Sequence, residues 1–531
     1  MMKKLSVGIS DFKELIEGNY IYVDKTEYIY KLINSGKYYF LSRPRRFGKS
    51  LLISTVEYLF KGEKELFKGL YIQDKFNWEE VYPVIRIDFS KDILKKEDYK
   101  KRVIQELEKN YINNGIEMFE KEEDEIGLFE KLIITIYKSY GKQVVVLVDE
   151  YDKPILDLIE DIKQAQNIRK QLKAFYSVLK GLDKYIRFVL ITGVSKFSKV
   201  SLFSGLNQLE DISLNKDYGN ICGYTQNELE LYFKDYLEKL NLDEIKEWYN
   251  GYNFLQDTLY NPFDILLYLR NREFDSYWYK TGTPSFLIKL IKNKKYDVSE
   301  LENKIVKKNI LEKFDIEEIK IEALMFQTGY LTIKEVYQKE YGQEYKLGFP
   351  NKEVRISFSE NILEFTIKEE VRYKLVDEII TILKKEEIKK LKEKLEILIS
   401  NISYMYLKEE ASYVLAVFVL FYSSGLNVIT EDNTSKGRID LTIIVNNSIV
   451  YILEFKVIQN SKEKGNSINQ ILQKEYYKKY LNYDKIYIIG IELDKINKQV
   501  ANFEYQKIKW NFYKKNNRFL EDLKNGSISR K

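Results

Sequence analysis

The chain of 531 residues contains no histidine, one cysteine and no long apolar run, and each shortage excludes a class of function. Without histidine there is no histidine general base, no histidine zinc ligand and no Ser-His or Cys-His nucleophilic pair. The single cysteine, Cys222, excludes an intrachain disulfide and a zinc cluster built from cysteines. Acid–base and metal chemistry must therefore come from Asp, Glu, Lys, Tyr, Ser or Thr, and carboxylate ligands favour Mg²⁺ or Mn²⁺.

The longest apolar stretches, residues 414–422 and 187–194, are too short to cross a bilayer, and the basic N-terminus lacks the apolar run of a signal peptide. We therefore expect a cytoplasmic protein with no membrane partner. The length predicts two to four domains, and a composition of 44% hydrophobic and 31% charged residues is typical of a globular chain. A net charge of +5 neither requires nor excludes a nucleic-acid partner.

The first 215 residues alternate short apolar runs with segments of helical spacing. Buried strands are predicted over residues 37–42, 83–90, 143–150 and 187–193. Strands that alternate with helices in this way predict a parallel sheet covered on both faces, which is an α/β fold. We place the boundary of this first domain at residues 1–223.

The remainder of the chain divides into three predicted parts. Residues 224–350 form a helical lid and winged-helix-like region, in which Thr225 and Glu228 are a capping box that opens a helix over 225–240. Short strands over 329–336 and 344–351 end this region. Linker helices occupy 351–404, including a long charged amphipathic helix over 366–400. The last domain, 405–531, is predicted to contain a helix over 409–422, a hairpin over 436–457, a helix over 465–481 and a strand over 485–493.

The sequence "RPRRFGKS" at residues 43–50 ends like a phosphate-binding loop, although Arg43 stands where the first glycine of such a loop is expected. A predicted strand enters the segment and a predicted helix leaves it. In that setting backbone N–H groups converge on a phosphate, while Lys49 adds positive charge and Ser50 reaches Mg²⁺. The alternative is a helix N-terminus with a solvated lysine. We predict a nucleotide site formed by Arg46, Phe47, Gly48, Lys49, Ser50 and Leu51.

Two further strand ends support a nucleotide site. Asp149 and Glu150 follow a run of five apolar residues, where Asp149 would hold Mg²⁺ through water and Glu150 would polarise the attacking water. An acidic turn after a core strand is the alternative, but ligands bind at the carboxyl ends of such strands. Thr192, at the end of the next predicted strand, is a candidate sensor of the γ-phosphate.

The predicted hairpin over 436–457 brings charged residues together. If residues 446–448 form the turn, Asp440 lies directly opposite Glu454, and Lys456 shares the face of Glu454. Opposed residues are about 5 Å apart at Cβ, close enough for Asp440 and Glu454 to share a divalent cation. Lys456 would then position or activate water, or stabilise charge on a phosphate. A solvent-facing sheet with a cross-strand salt bridge is the structural alternative.

Taken in order, many motifs resemble the AAA-ATPase-like family of bacterial proteins. They include "YVDKT" (22–26), "SRPRRFGKSLL" (42–52), "VLVDEYDKPI" (147–155), "ITGVSKFS" (191–198), "WYNGY" (248–252), "LYNPFDIL" (259–266) and "FQTGYLTI" (326–333). The resemblance covers most of residues 5–340. It implies a P-loop NTPase-like fold that binds ATP or another NTP with Mg²⁺, and it makes Arg43 a family trait. Arg43, Arg45 and Arg46 then either contact phosphate or anchor the loop against acids.

Members of that family usually carry a PD-(D/E)XK nuclease domain behind, and "GRIDL" with "YILEFKV" resembles its restriction-endonuclease-like α/β core. This resemblance implies that Asp440, Glu454 and Lys456 are catalytic. It also implies a helical acid, Glu410 with Glu409 as its competitor, and a polar helix residue, Gln470. The lysines and tyrosines of 474–480 either follow a nucleic-acid backbone or, as we favour, form an amphipathic helix with a solvated face.

The resulting hypothesis is a nucleotide-gated, Mg²⁺-dependent hydrolase of DNA phosphodiesters. DNA is favoured over RNA only by analogy with the nuclease superfamily. A homo-oligomer is compatible with the resemblance, since such ATPases often complete their sites between subunits. Three alternatives stay open: a nucleotide-dependent switch whose nuclease fold is an inert scaffold, a nuclease that binds nucleotide without hydrolysing it, and a DNA-binding module with two inert folds.

Overall fold

The computed structural model describes residues 2–90, 96–117, 124–196, 203, 206–282, 285–294, 296, 301–311, 316–364, 369–401, 410–458, 466–494, 496–497 and 499–508. It contains two compact units. The first comprises Met1–Lys294 with Lys304–Val354, and the second comprises Lys295–Asn303 with Arg355–Lys531. No helix of the described residues is long and apolar enough to span a membrane.

The first unit is built on a five-stranded sheet with the strand order β2-β3-β4-β1-β5, in which every pairing is parallel. The strands are β1 (Tyr38–Ser42), β2 (Val84–Asp88), β3 (Val144–Asp149), β4 (Ile186–Gly193) and β5 (Glu210–Asp211). Strands β1 and β3 are buried along their whole length, as expected for a sheet between two layers of helices. The predicted α/β fold and its four apolar strands are confirmed, and β5 is an addition.

Among the described residues, seven helices accompany this sheet. They are α1 (Phe12–Glu17), α2 (Thr26–Ser35), α3 (Lys49–Phe60), α4 (Lys96–Asn113), α5 (Glu125–Tyr140), α6 (Lys153–Leu156) and α7 (Ile162–Gly181). Short 3₁₀ helices lie at Lys64–Phe67, Asp183–Tyr185 and Lys216–Tyr218. Because all strands run parallel, the residues that follow β1, β3 and β4 emerge at one edge of the sheet.

The rest of the first unit is helical with two small sheets. Its helices are α8 (Gln226–Tyr232), α9 (Lys234–Leu237), α10 (Leu242–Tyr249), α11 (Pro262–Asn271), α12 (Tyr279–Gly282), α13 (Ser285–Asn293), α14 (Lys308–Leu311) and α15 (Ile321–Thr328). One sheet pairs β6 (Asn250–Asn253) with β7 (Thr258–Tyr260). The other has the order β8-β10-β9, with β8 (Ile305–Lys307), β9 (Thr332–Lys339) and β10 (Gly342–Gly348).

Two predictions in this region need correction. The helix over 225–240 is two helices, because Phe233 between α8 and α9 leaves helical geometry while its ring is fully buried. The capping box of Thr225 and Glu228 is present. The strand predicted from residue 329 begins at Thr332, because Gly329 ends α15 in the left-handed conformation with φ 94°.

The second unit contains a mixed sheet with the order β11-β12-β13-β14-β15, in which only the β13–β14 pairing is parallel. The strands are β11 (Asn427–Thr434), β12 (Gly437–Val445), β13 (Ile449–Ile458), β14 (Lys485–Asp494) and β15 (Gln499–Ile508). The helices are α16 (Lys352–Glu364, whose first three residues belong to the first unit), α17 (Glu369–Lys384), α18 (Lys389–Asn401), α19 (Glu410–Ser423) and α20 (Ser467–Gln473). A 3₁₀ helix, Tyr476–Tyr480, follows α20.

The predicted hairpin and the strand over 485–493 are present, while β11 and β15 were not predicted. The long helix expected over 366–400 is divided into α17 and α18, and Glu386 between them has a φ of 60°. The helix expected over 465–481 ends at Gln473, and Glu475 has a φ of 53°. A left-handed residue cannot continue an α-helix, so each break is set by a local change of backbone conformation.

Candidate functional site

The segment that resembles a phosphate-binding loop, residues 43–50, connects β1 to α3 at the carboxyl edge of the first sheet. Gly48 has a φ of 93°, a conformation that favours glycine, and α3 begins at Lys49. The Lys49 side chain is buried, and its Nζ donates hydrogen bonds to the carbonyls of Arg43 and Pro44, both at 3.0 Å. Burial lowers the pKa of Lys49, whereas the charges of Glu150 and Asp149 oppose the shift. The ammonium group is therefore held within the loop.

Arg43 anchors this loop. Its guanidinium is fully buried and donates hydrogen bonds at 2.9–3.2 Å to four backbone carbonyls, those of Ser42, Ser213, Tyr218 and Gly219. It also lies 4.0 Å from the centre of the Phe254 ring. Of the two interpretations given by the sequence, the structure shows anchoring, although the partners are carbonyls rather than acids.

The other predicted loop residues differ in their surroundings. Phe47 is fully buried, and its ring packs edge-to-face against Tyr252 and Phe254. Arg46 is exposed, has a φ of 63° and lies over the Phe263 ring. Ser50 and Leu51, in the first turn of α3, are half-buried. Phe47 thus anchors the loop in the core, while Gly48, Ser50 and Leu51 remain partly accessible to solvent.

The predicted acids lie beside the loop. Asp149 ends β3 and is buried, and its Oδ1 accepts hydrogen bonds from the Thr192 hydroxyl at 2.7 Å and from the Glu150 N–H at 3.1 Å. Glu150 has a φ of 52°, and burial raises its pKa. The fold therefore brings together Lys49, Asp149, Glu150 and Thr192 from three strand ends, as predicted from the parallel topology.

Several residues that sequence analysis did not select also shape this site. Asp152 is buried and accepts hydrogen bonds from the N–H groups of Val194 and Ser195, the shorter at 2.6 Å. The Arg45 carbonyl accepts hydrogen bonds from Trp278 Nε1 at 3.2 Å and Asn261 Nδ2 at 3.4 Å. The "NPF" context of Asn261, a helix N-cap before proline, was the available sequence signal.

The candidate site of the second unit lies on the hairpin of β12 and β13. Val445 pairs with Ile449 and Leu441 pairs with Leu453, so residue 440 stands opposite residue 454. The predicted register is therefore confirmed. The turn includes Asn446 and Asn447, both with positive φ, a conformation that asparagine tolerates. Asp440 also accepts a hydrogen bond from the Phe455 N–H at 2.8 Å.

Glu454 is the most unusual residue of this site. Its side chain is 2% exposed, its Oε1 accepts a hydrogen bond from Gln470 Nε2, and its Oε2 has no hydrogen-bond partner among the described residues. Burial and the nearby charge of Asp440 raise the pKa of Glu454 to about 8, and burial raises the pKa of Asp440. An unpaired buried carboxylate oxygen is costly, and a divalent cation would compensate it. These residues therefore fit a Mg²⁺ or Mn²⁺ ion.

The structure describes only some of the remaining predicted residues of the second unit. Lys456 follows two residues after Glu454 on β13, is partly buried and pairs in register with Glu492 of β14. Glu492 is buried and accepts a hydrogen bond from the Ser467 hydroxyl at 3.2 Å. Helix α19 begins at Glu410, but the Glu410 side chain and the whole of Glu409 lie outside what the structure describes.

The described residues contain no group of three Asp, Glu, His or Cys side chains placed to hold a metal. A third acid nevertheless occurs in the backbone register. Residue 431 of β11 lies between the pairs Thr430–Leu441 and Asp432–Ile439, which places Glu431 opposite Asp440. The prediction omitted it because β11 itself was not predicted.

Comparison with known proteins gives two family matches and one relative. The family model described as a predicted AAA-ATPase matches residues 6–203, which contain the loop and the acids of the first unit. The model of the PD-(D/E)XK nuclease superfamily matches residues 408–503, which contain the hairpin. A protein of Azotobacter chroococcum mcd 1, described as an uncharacterized protein in the vnfD 5' region, is 38% identical over 511 residues. That similarity covers 94% of this chain and 98% of the relative.

Proposed function

We propose a function from the premise that the chain belongs to the family of predicted AAA-ATPases that carry a PD-(D/E)XK nuclease superfamily domain. In this proposal the protein is a nucleotide-gated, Mg²⁺-dependent nuclease that hydrolyses DNA phosphodiesters. The observation that carries the proposal is the buried Glu454, whose Oε2 has no partner among the described residues and which stands opposite Asp440. A buried acid beside a half-buried one is costly to fold unless a cation joins them.

In this proposal, Asp440 and Glu454 hold the cation, and Gln470 fixes the orientation of the Glu454 carboxylate through its hydrogen bond to Oε1. A bound Mg²⁺ supplies positive charge for the phosphate and lowers the pKa of a water molecule. Lys456 stabilises the negative charge that develops on the phosphate. Glu410 is proposed as a further acid of the site.

In the first unit, the proposed ligand is ATP or another NTP. The N–H groups from Arg46 to Leu51 at the start of α3 bind the phosphates, and Lys49 adds positive charge. Ser50 and Asp149 hold Mg²⁺. Glu150 polarises the attacking water and Thr192, bonded to Asp149, senses the γ-phosphate. Arg43 takes no part in phosphate binding, because its side chain is fully buried and both terminal guanidinium nitrogens donate to backbone carbonyls.

The test is cleavage of plasmid and single-stranded DNA by the purified protein, with and without Mg²⁺ and ATP. We expect Mg²⁺-dependent cleavage that the Glu454→Gln variant lowers by about 100-fold or more, since it removes a metal ligand. Glu504→Gln, which changes an exposed glutamate of the same sheet, is the matched control and should keep full activity.

Two outcomes would contradict the proposal. Cleavage that survives Glu454→Gln would exclude Glu454 from the chemistry. DNA that is bound by the wild type but never cut, under any combination of Mg²⁺ and nucleotide, would favour the scaffold alternative instead.

A further inference from the structure

A positively charged cleft lies beside the carboxylate hairpin in the second unit. It has a volume of about 480 Å³ and lies between residues 433–436, at the β11–β12 turn, and the segment that follows α20. Four lysines and one glutamate line it, so positive charge predominates. Its other lining groups include the hydroxyl residues Thr434 and Ser435.

The tyrosines of this segment are mostly buried in the core, and of the three only Tyr476 also lines the cleft. Tyr476 is 1% exposed and Tyr480 is 4% exposed, and both pack in the hydrophobic cluster of this unit, against which Tyr477 also packs. Bases that stack on a protein need exposed aromatic faces. The cleft therefore offers charge and hydroxyl groups but little surface for base stacking.

Most of the lysines are held by acids. Lys436 and Lys478 form ion pairs with Glu475, and Lys479 forms one with the buried Asp432. Lys474 differs, since no acid of the described residues forms an ion pair with it. Its ammonium lies 5.6 Å from the centre of the Tyr476 ring and interacts electrostatically with the carboxylates of Glu454 and Asp440, so its positive charge lies next to the proposed metal site.

The position of Lys474 links the cleft to the carboxylates. It follows Gln470 by four residues, its N–H donates a hydrogen bond to the Gln470 carbonyl, and Gln470 itself contacts Glu454. A Cβ atom on Gly437 would lie 3.4 Å from Lys474 Nζ and 2.8 Å from the Tyr476 hydroxyl, so the lysine passes directly over the start of β12. Asp440 follows three residues later on that strand.

We propose that this cleft binds the sugar–phosphate backbone of a DNA strand, and that Lys474 is the main phosphate contact of the cleft. The bound backbone lies next to the proposed metal site of Asp440 and Glu454. The inference rests on the proposed function. Because lysines and hydroxyls recognise phosphate rather than base edges, binding here is independent of base sequence and depends strongly on salt.

The test is fluorescence anisotropy with labelled single-stranded DNA, duplex DNA and single-stranded RNA over about 50–200 mM salt. EDTA is present, so that binding is measured without cleavage. We expect Lys474→Ala to weaken DNA binding by roughly 3- to 10-fold and to reduce the slope of log K against log salt by about one. Lys474→Arg should retain binding, because it keeps the charge. Lys390→Ala, which removes a lysine of α18 that does not line the cleft, should change neither affinity nor slope.

The outcomes separate this inference from the proposed function. Unchanged affinity and slope in Lys474→Ala, or tight binding of RNA but not DNA, would overturn the role of the cleft while leaving cleavage to be judged by Glu454→Gln. The wild type could instead bind DNA without ever cutting it, while Lys474→Ala loses DNA binding. That result would support the role of the cleft and overturn DNA hydrolysis.

Discussion

Arg43 stands where a phosphate-binding loop usually has its first glycine, and its side chain anchors the loop to backbone carbonyls. A guanidinium has five N–H donors in a rigid planar fork, and here that fork meets four carbonyls at once. Lysine has no such fork and could not satisfy the same set. Burial lowers the pKa of Arg43 to about 10, so the group still keeps its charge at neutral pH.

Replacing Arg43 with alanine should therefore act on stability. We expect Arg43→Ala to lower the free energy of unfolding by roughly 2–5 kcal/mol, because it leaves a cavity and unpaired carbonyls. Urea unfolding followed by tryptophan fluorescence measures this change. Arg45→Ala, at an exposed position of the same loop, should cost less than about 0.5 kcal/mol. A stable Arg43→Ala protein that fails to bind nucleotide would instead indicate a phosphate contact.

A buried pair of carboxyl groups, Asp264 and Glu353, gives the first unit a dependence on pH. Both are fully buried, and Glu353 Oε1 accepts hydrogen bonds from the N–H groups of Trp278 and Tyr279. Burial raises the pKa of both acids, and the charge of Glu353 raises that of Asp264 further. The folded protein thus keeps a proton on the pair at pH values where the unfolded chain has lost it.

The free energy of unfolding should therefore fall as pH rises from about 4.5 towards 8, because the unfolded state binds fewer protons than the folded state. Glu353→Gln places an N–H group between the two side chains and should therefore flatten this dependence on pH. At pH 8 the free energy of unfolding of the variant should exceed that of the wild type by on the order of 1–3 kcal/mol. Urea titrations at several pH values measure it. Parallel curves for the wild type and Glu353→Gln would show that the pair does not titrate in this range.

At the scale of elements, the β12–β13 hairpin determines whether the acids meet. Side chains alternate between the faces of a strand, so a slip of one residue would send Asp440 and Glu454 to opposite sides of the sheet. The turn prevents the slip, because Asn446 and Asn447 both accept left-handed conformations and set the pair Val445–Ile449. The neighbouring strand β11 continues the same register, and this places Glu431 opposite Asp440.

This register predicts a role for Glu431 in metal binding. In the backbone, residue 431 of β11 stands beside Asp440 of β12, and Asp440 stands beside Glu454 of β13. We expect Glu431→Gln to weaken Mn²⁺ binding by about 10-fold, measured by titration calorimetry. The control Glu504→Gln should leave the affinity unchanged. Equal affinities in all three proteins would restrict the site to β12 and β13.

At the scale of the whole molecule, the two family matches fall in two compact units. The residues of the two proposed sites do not overlap, which allows each proposed activity to be removed separately. Lys49 and Glu150 belong to the proposed nucleotide site of the first unit, whereas Asp440 and Glu454 belong to the proposed metal site of the second.

Nucleotide gating predicts an asymmetric pattern of losses. Glu150→Gln should retain ATP binding but release phosphate at least 100-fold more slowly, while Glu454→Gln should release phosphate at the wild-type rate. Lys49→Ala should lose ATP binding, and its DNA cleavage should no longer respond to added ATP. Phosphate release and cleavage are measured on the same preparations. A cleavage rate that ignores ATP in the wild type would show that the two units work independently.

Local patterns in the sequence were sufficient for much of the fold and for part of each site. The apolar runs predicted β1 to β4, Thr225 and Glu228 predicted a capping box, and a three-residue turn predicted the register of Asp440 with Glu454. Each of these depends on spacing within a few residues, which the sequence displays directly. The arrangement of Lys49, Asp149 and Thr192 at the carboxyl edge of the first sheet followed from its parallel topology.

Tertiary structure alone decided the rest, because it depends on partners far apart in the chain. Arg43 finds the Ser213 carbonyl 170 residues away, and no local pattern marks a carbonyl as an acceptor. The cleft beside Lys474 also forms between the β11–β12 turn and the segment after α20, which are about 40 residues apart in the chain. The burial that leaves one oxygen of Glu454 without a partner likewise comes from the packed sheet, since an isolated hairpin would leave that carboxylate in water.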